Sequence, residues 1–197
     1  FGTDTDFFSS KPLLEHTNQI NIISLRNLEK IYSIKTLVKS ISFLNKNTNY
    51  EFYANIYGNG SEYSNIKSLI DTLNLNKHIK LHGSYNYDQL PKILSSNHIY
   101  VSTSLSDAGI AASTSEAMST GMLVISADNS DNEFWMSNKC GLLFETKNSE
   151  DLAAKILEFT SMKLDEKKIF SYNARQKIIK YNSIIGEMNK MSVLYEI

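Results

Sequence analysis

Short runs rich in β-branched and aromatic residues recur along this chain, and stretches of helical period separate them. The runs are Ile20 to Leu25, Glu51 to Gly58, His78 to Gly83, His98 to Ser104, Leu123 to Asp128 and Gly141 to Glu145, most of them bounded by glycine, asparagine or aspartate. They read as strands. Ser33 to Leu44, Ser61 to Leu73, Tyr87 to Leu94, Ser113 to Thr120 and a short piece at Asn132 to Met136 read as helices, followed by Ser149 to Thr160 and two more up to Tyr195. Strands apolar on both faces and alternating with helices specify a parallel sheet covered on both sides. The expected architecture is α/β, a Rossmann-like parallel sheet of about six strands with helices on both faces. Its ligand crevice belongs at the carboxyl ends of the strands, so chemistry is to be sought in the loops that follow them.

The 197 residues can bury a substantial core, and a net charge of −1 gives no global pull toward nucleic acid or an anionic membrane. Any anion site has to be local. Cys140 is the single cysteine, which excludes an intrachain disulfide and fits a reducing, cytoplasmic compartment; it runs into a buried strand and is a poor nucleophile candidate. No apolar run approaches the ~20 residues of a membrane span and no signal-like segment opens the chain, so no transmembrane segment is expected. A chain that opens on Phe1 rather than methionine is expected to continue upstream. His16, His78, His82 and His98 lack ligand spacing, and no metal is expected.

The stretch from Ser106 to Gly121, SDAGIAASTSEAMSTG, is the most informative. It follows a strand, and its small residues Gly109 to Ala112 precede a helix expected from near Ser113 to Gly121. Small side chains there bare the amides of a helix N-terminus, which attract phosphate because their donors lack partners and the helix dipole adds partial positive charge. Glu116 lies one turn in, where its carboxylate could accept from a vicinal diol such as a ribose. The other reading makes Ser113 and Glu116 a capping box, and Asp107 has a parallel alternative as a loop-closing aspartate. Arg26 and Lys30 follow the first strand and supply cations to the same edge, unless they are solvated surface. Gly58 and Gly60 form a tight strand-to-helix turn with Ser61 capping the next helix; Tyr63 stands where a dinucleotide fingerprint needs glycine, so NAD is not expected. Trp135 reads as core, and Asn132 and Glu133 as a helix start.

Taken in order, SLRNLEKIYSIKTLVKSI, YGNGSEYSNIKSLIDTLNLNKHIKLHGSY, SLSDAGIAASTSEAMSTGMLVISAD and NEFWMSNKCGLLFETKNSEDLAAKI resemble the C-terminal, donor-binding half of GT-B glycosyltransferases of the group 1, GT4-like type. The resemblance runs almost end to end. It implies a linker over residues 1–17, a Rossmann-like nucleotide-sugar-binding domain over 18–160 and C-terminal helices over 161–197 that pack back on it. It implies a UDP- or GDP-sugar donor whose diphosphate is held by Arg26 and Lys30, whose phosphate and sugar meet the amides of Gly109, Ile110 and Ala111, and whose ribose meets Glu116. Asp107 and Glu116 are then the catalytic acids, and Tyr85 packs against the nucleobase or on the surface. Transfer with retained anomeric configuration and without metal is implied, to an acceptor glycan or glycolipid bound with an N-terminal half. Peripheral membrane association of the longer protein is a further possibility, although the apolar face of Met162 to Tyr195 is expected to be buried.

The chain departs from the family pattern twice. Ala108 occupies the position of the family's first acid, one residue after Asp107, and LEKIY lacks the proline and glycine that usually flank the lysine, which leaves Lys35 as a substitute for Lys30. Two other functions stay open on the same fold: a nucleotide-sugar epimerase, and a nucleotide-binding module without chemistry.

Overall fold

A computed structural model of the chain describes residues 2–14 and 18–195; His16 lies outside the described residues. The sheet has six parallel strands in the order β3-β2-β1-β4-β5-β6, with β1 at Gln19–Ser24, β2 at Glu51–Tyr57, β3 at Ile79–Gly83, β4 at Ile99–Ser102, β5 at Leu123–Ala127 and β6 at Leu142–Phe144. The helices are α1 (Ile34–Asn47), α2 (Tyr63–Thr72), α3 (Leu90–Ser95), α4 (Ala112–Ser119), α5 (Asn132–Met136), α6 (Ser149–Ser161), α7 (Leu164–Asn182) and α8 (Ile184–Tyr195). Strand order reverses between β1 and β4, and that is where a crevice opens in a sheet of this kind.

Alternate residues of the central strands feed two cores. Ile20 and Ile22 of β1 and Val101 of β4 join Leu37, Ile41, Ile156 and Phe159 on one face, whereas Ile23 and Tyr100 join Leu94, Met118, Trp135 and Ile178 on the other. Both faces of β4 and of the second half of β1 are thus dry, which is why those stretches lack a polar alternation. Cys140 is buried just before β6, and Trp135 belongs to the second core.

The C-terminal segment does more than bury an apolar stripe. Phe170, Ala174 and Ile178 of α7 are buried, and three cations of the same helix end on the carbonyls of three others. Lys167 Nζ donates to Thr160 O at the end of α6 (3.1 Å), Arg175 Nη1 to Ser119 O at the end of α4 (2.6 Å), and Lys177 Nζ to Phe134 O of α5 and to Ser137 Oγ just past it. Cations belong at helix C-termini because the final carbonyls lack partners and carry the negative end of the dipole. Arg175 also donates to Phe8 O and Thr5 O, tying the segment before β1 to α4. α8 differs from the expectation of a buried face: Ile185, Met188 and Met191 are exposed.

Candidate functional site

Two strand ends build the site. After β1 the chain turns through Arg26 to Glu29, and this loop is fixed by the glycine turn after β2. Leu28 N–H donates to Asn59 O (3.0 Å), Glu62 N–H to Leu28 O (2.8 Å), and the Ser61 amide and hydroxyl both donate to the Glu29 carboxylate. A Cβ on Gly60 would stand 2.4 Å from Leu28 O, and one on Gly58 would stand 2.6 Å from Arg26 O at a φ of 134°. The glycines therefore serve close approach of two loops, and Ser61 holds the Arg26 loop rather than capping α2.

After β4 the backbone is held by Ser104 Oγ donating to Ser106 O (2.9 Å) and Asn129 Nδ2 donating to Ser104 O (2.7 Å). It then opens at Gly109, whose φ of 74° lies in the left-handed region and where an added Cβ would meet nothing within 4 Å. α4 begins at Ala112 with Ala111 as its N-cap and no side-chain cap. Thr114 and Ser115 N–H both turn back to Ala111 O, while the amides of Gly109 through Ser113 have no acceptor among the described residues. The capping-box alternative fails: the Ser113 hydroxyl is paired with Tyr100 OH at 2.8 Å, a phenol fully buried beneath the helix start. Asn132, likewise, does not cap its helix but donates to Ala127 O, behind Asp131 as N-cap.

Arg26, Tyr32, Tyr85, Ala112, Ser113 and Glu116 line a cleft of about 250 Å³ together with Leu25 and Asn27. Glu116 is 9% exposed, and among the described residues nothing donates to its carboxylate. Burial without a partner pushes its pKa up to about 7. Tyr85 sits near enough for that carboxylate to add to the burial that raises its own phenol, and it meets Tyr57 edge to face at 6.0 Å. Arg26 is 9% exposed, its Cζ lies 4.9 Å over the Tyr32 ring, its Nε is buried without a partner, and Nη2 donates to Asp107 Oδ1.

The structure thus brings Arg26, Tyr85 and Glu116 to one cleft with Ala112 and Ser113 at the start of α4; Gly109, Ile110 and Ala111 precede them in the loop and do not line it. Asp107 reaches it only through Arg26. Lys30 is exposed and lines a separate cleft with Lys35, Lys39 and Lys147. Sequence reasoning missed Tyr32; the only signal was an aromatic six residues after the arginine. Among the described residues no group of three or more His, Cys, Asp or Glu side chains is placed to hold a metal, and no helix is long and apolar enough to cross a membrane.

Residues 6–177 match the family model described as glycosyl transferases group 1. A relative, digalactosyldiacylglycerol synthase 1, chloroplastic, from Glycine max, is 31% identical over 107 residues, covering 54% of this chain and 13% of its own length. A glycosyltransferase from Rickettsia africae ESF-5 shares the fold at a TM-score of 0.86 and 22% identity, over 99% of this chain and 55% of that one. A TarM mutant of S. aureus, in complex with fondaparinux, alpha-GlcNAc-glycerol and UDP, superposes at a TM-score of 0.78 and 25% identity over 95% of this chain and 38% of that one. The chain therefore spans between about an eighth and just over half the length of these relatives.

Proposed function

The chain belongs to the glycosyl transferases group 1 family, and we propose that it is the donor-binding part of a retaining enzyme that transfers a sugar from a nucleotide diphosphate sugar to a glycan or lipid-linked acceptor. The observation that carries this reading is the meeting of Arg26 with Ala112 and Ser113, at the uncapped start of α4, in one cleft at the β1/β4 reversal. A guanidinium and a helix start suit a diphosphate, and their fixed charge stabilises the nucleotide as it leaves. Glu116, buried and without a donor, accepts the ribose hydroxyls; charge-assisted bonds from a diol offset the cost of keeping the carboxylate ionised. Tyr85 flanks the base. The chain spans only part of its relatives' length and the acceptor half is assigned to the longer protein; the lipid named for the Glycine max relative and the glycerol-linked sugar with the S. aureus enzyme support a lipid or glycerol-containing acceptor.

A panel of UDP- and GDP-sugars offered to the longer protein tests the reading. Acceptor-dependent release of one nucleotide, with the donor's anomeric configuration kept in the product, is expected. An epimer formed from donor alone would make the protein an epimerase. Neither transfer nor slow donor hydrolysis would leave the nucleotide-binding module, which the absence of an acid at Ala108 favours.

A further inference from the structure

Arg26 is the only cation among the described residues that line the cleft, and a carboxylate already engages it. We propose that Asp107 is an exchangeable counter-ion, which the donor's diphosphate replaces on Arg26 while the Tyr32 ring keeps the guanidinium in place; this rests on the donor-binding reading of the cleft. The Asp107 side chain is 9% exposed and that of Arg26 10%, so the pair is shielded from water and Asp107 holds Nη2, one of the guanidinium nitrogens that a phosphate would use. Both anions cannot keep close contact with one guanidinium without repelling each other.

The two partners of Arg26 differ in how firmly they are anchored. Tyr32 sits on a turn whose carbonyl accepts from Thr103 Oγ1 at 2.7 Å, next to β4, and its ring packs against the core. Asp107 is held through its backbone by one long bond, N–H to Ser130 Oγ at 3.3 Å, and two residues later comes Gly109 with open space on its Cβ side. The carboxylate can swing out with its loop while the ring and the arginine stay. This also assigns Asp107 a positioning role toward Arg26 in place of contact with the sugar.

The test is calorimetric titration of the 197-residue chain with inorganic pyrophosphate, UDP and uridine. Asp107→Asn is expected to bind pyrophosphate and UDP about tenfold more tightly, because a hydrogen bond to a charged partner no longer competes, and to bind uridine unchanged. Tyr32→Leu is expected to weaken pyrophosphate and UDP about fivefold through loss of the ring under the cation, with Tyr32→Phe restoring them and uridine again unmoved. Equal or weaker pyrophosphate binding by Asp107→Asn overturns the exchange, and Asp107→Ser is read the same way if the first variant does not fold. Failure of the wild type and of both Asp107 variants to bind UDP and uridine would instead bring down the donor-site reading itself.

Discussion

Glu116→Gln should make the protein more stable at alkaline pH and a poorer nucleotide binder. The carboxyl has an ordinary value of 4.5 and titrates in the folded chain near 7, because burial disfavours its charge. Between those values the folded chain holds a proton that the unfolded chain has released, so stability falls as pH rises from 4.5 and the full penalty applies above 7. At about 1.36 kcal/mol per pH unit the penalty comes to roughly 3.4 kcal/mol, and about 2 kcal/mol is reasonable for a carboxyl that faces an open cleft. Glutamine has the same shape and no charge. Differential scanning calorimetry at pH 8 should therefore place the variant's transition roughly 4–10 °C above the wild type, and the gap should close by pH 4.5. The same change removes the acceptor for the ribose diol, so UDP should bind more weakly, and wild-type affinity should itself decline as pH drops below about 7. An unchanged or lower transition at pH 8, or a gap that persists in acid, would mean that Glu116 has a donor of its own.

Two structural substitutions test the frame around the cleft. Gly60→Ala forces a methyl against Leu28 O and the Glu29 carboxylate; a loss of about 1–3 kcal/mol in urea unfolding is expected, with weaker pyrophosphate binding because the Arg26 loop moves, and full binding would dissociate the glycine turn from the site. Arg175→Ala strips donors from Thr5 O, Phe8 O and Ser119 O; a loss of about 3 kcal/mol is expected, only partly recovered by Arg175→Lys, which lacks the planar fork.

Much of the fold was legible because each strand is short and bounded by a breaker, and the central β4 and β5 are buried on both faces while β2 alternates; all six appear within a few residues of where the pattern put them. The start of α4 was legible for the same reason, since Gly109 to Ala112 are too small to serve as anything but backbone. What the one-dimensional pattern could not show is who meets whom across the sheet. Whether Ser113 caps its own helix or pairs with Tyr100 depends on a residue thirteen positions earlier. Lys30 and Arg26 are four apart, yet they line different clefts, which no spacing along the chain reveals. Nothing in the sequence assigns partners to Lys167, Arg175 and Lys177 of α7; those partners are the ends of α4, α5 and α6.

Titration of the wild type and of Arg26→Ala with UDP and uridine probes the diphosphate cradle most directly. In the wild type UDP should bind at least tenfold more tightly than uridine, about 1.4 kcal/mol, and in Arg26→Ala that preference should shrink to near unity while uridine binding persists. A preference for UDP that survives loss of the guanidinium would contradict the assignment of the cleft to a diphosphate.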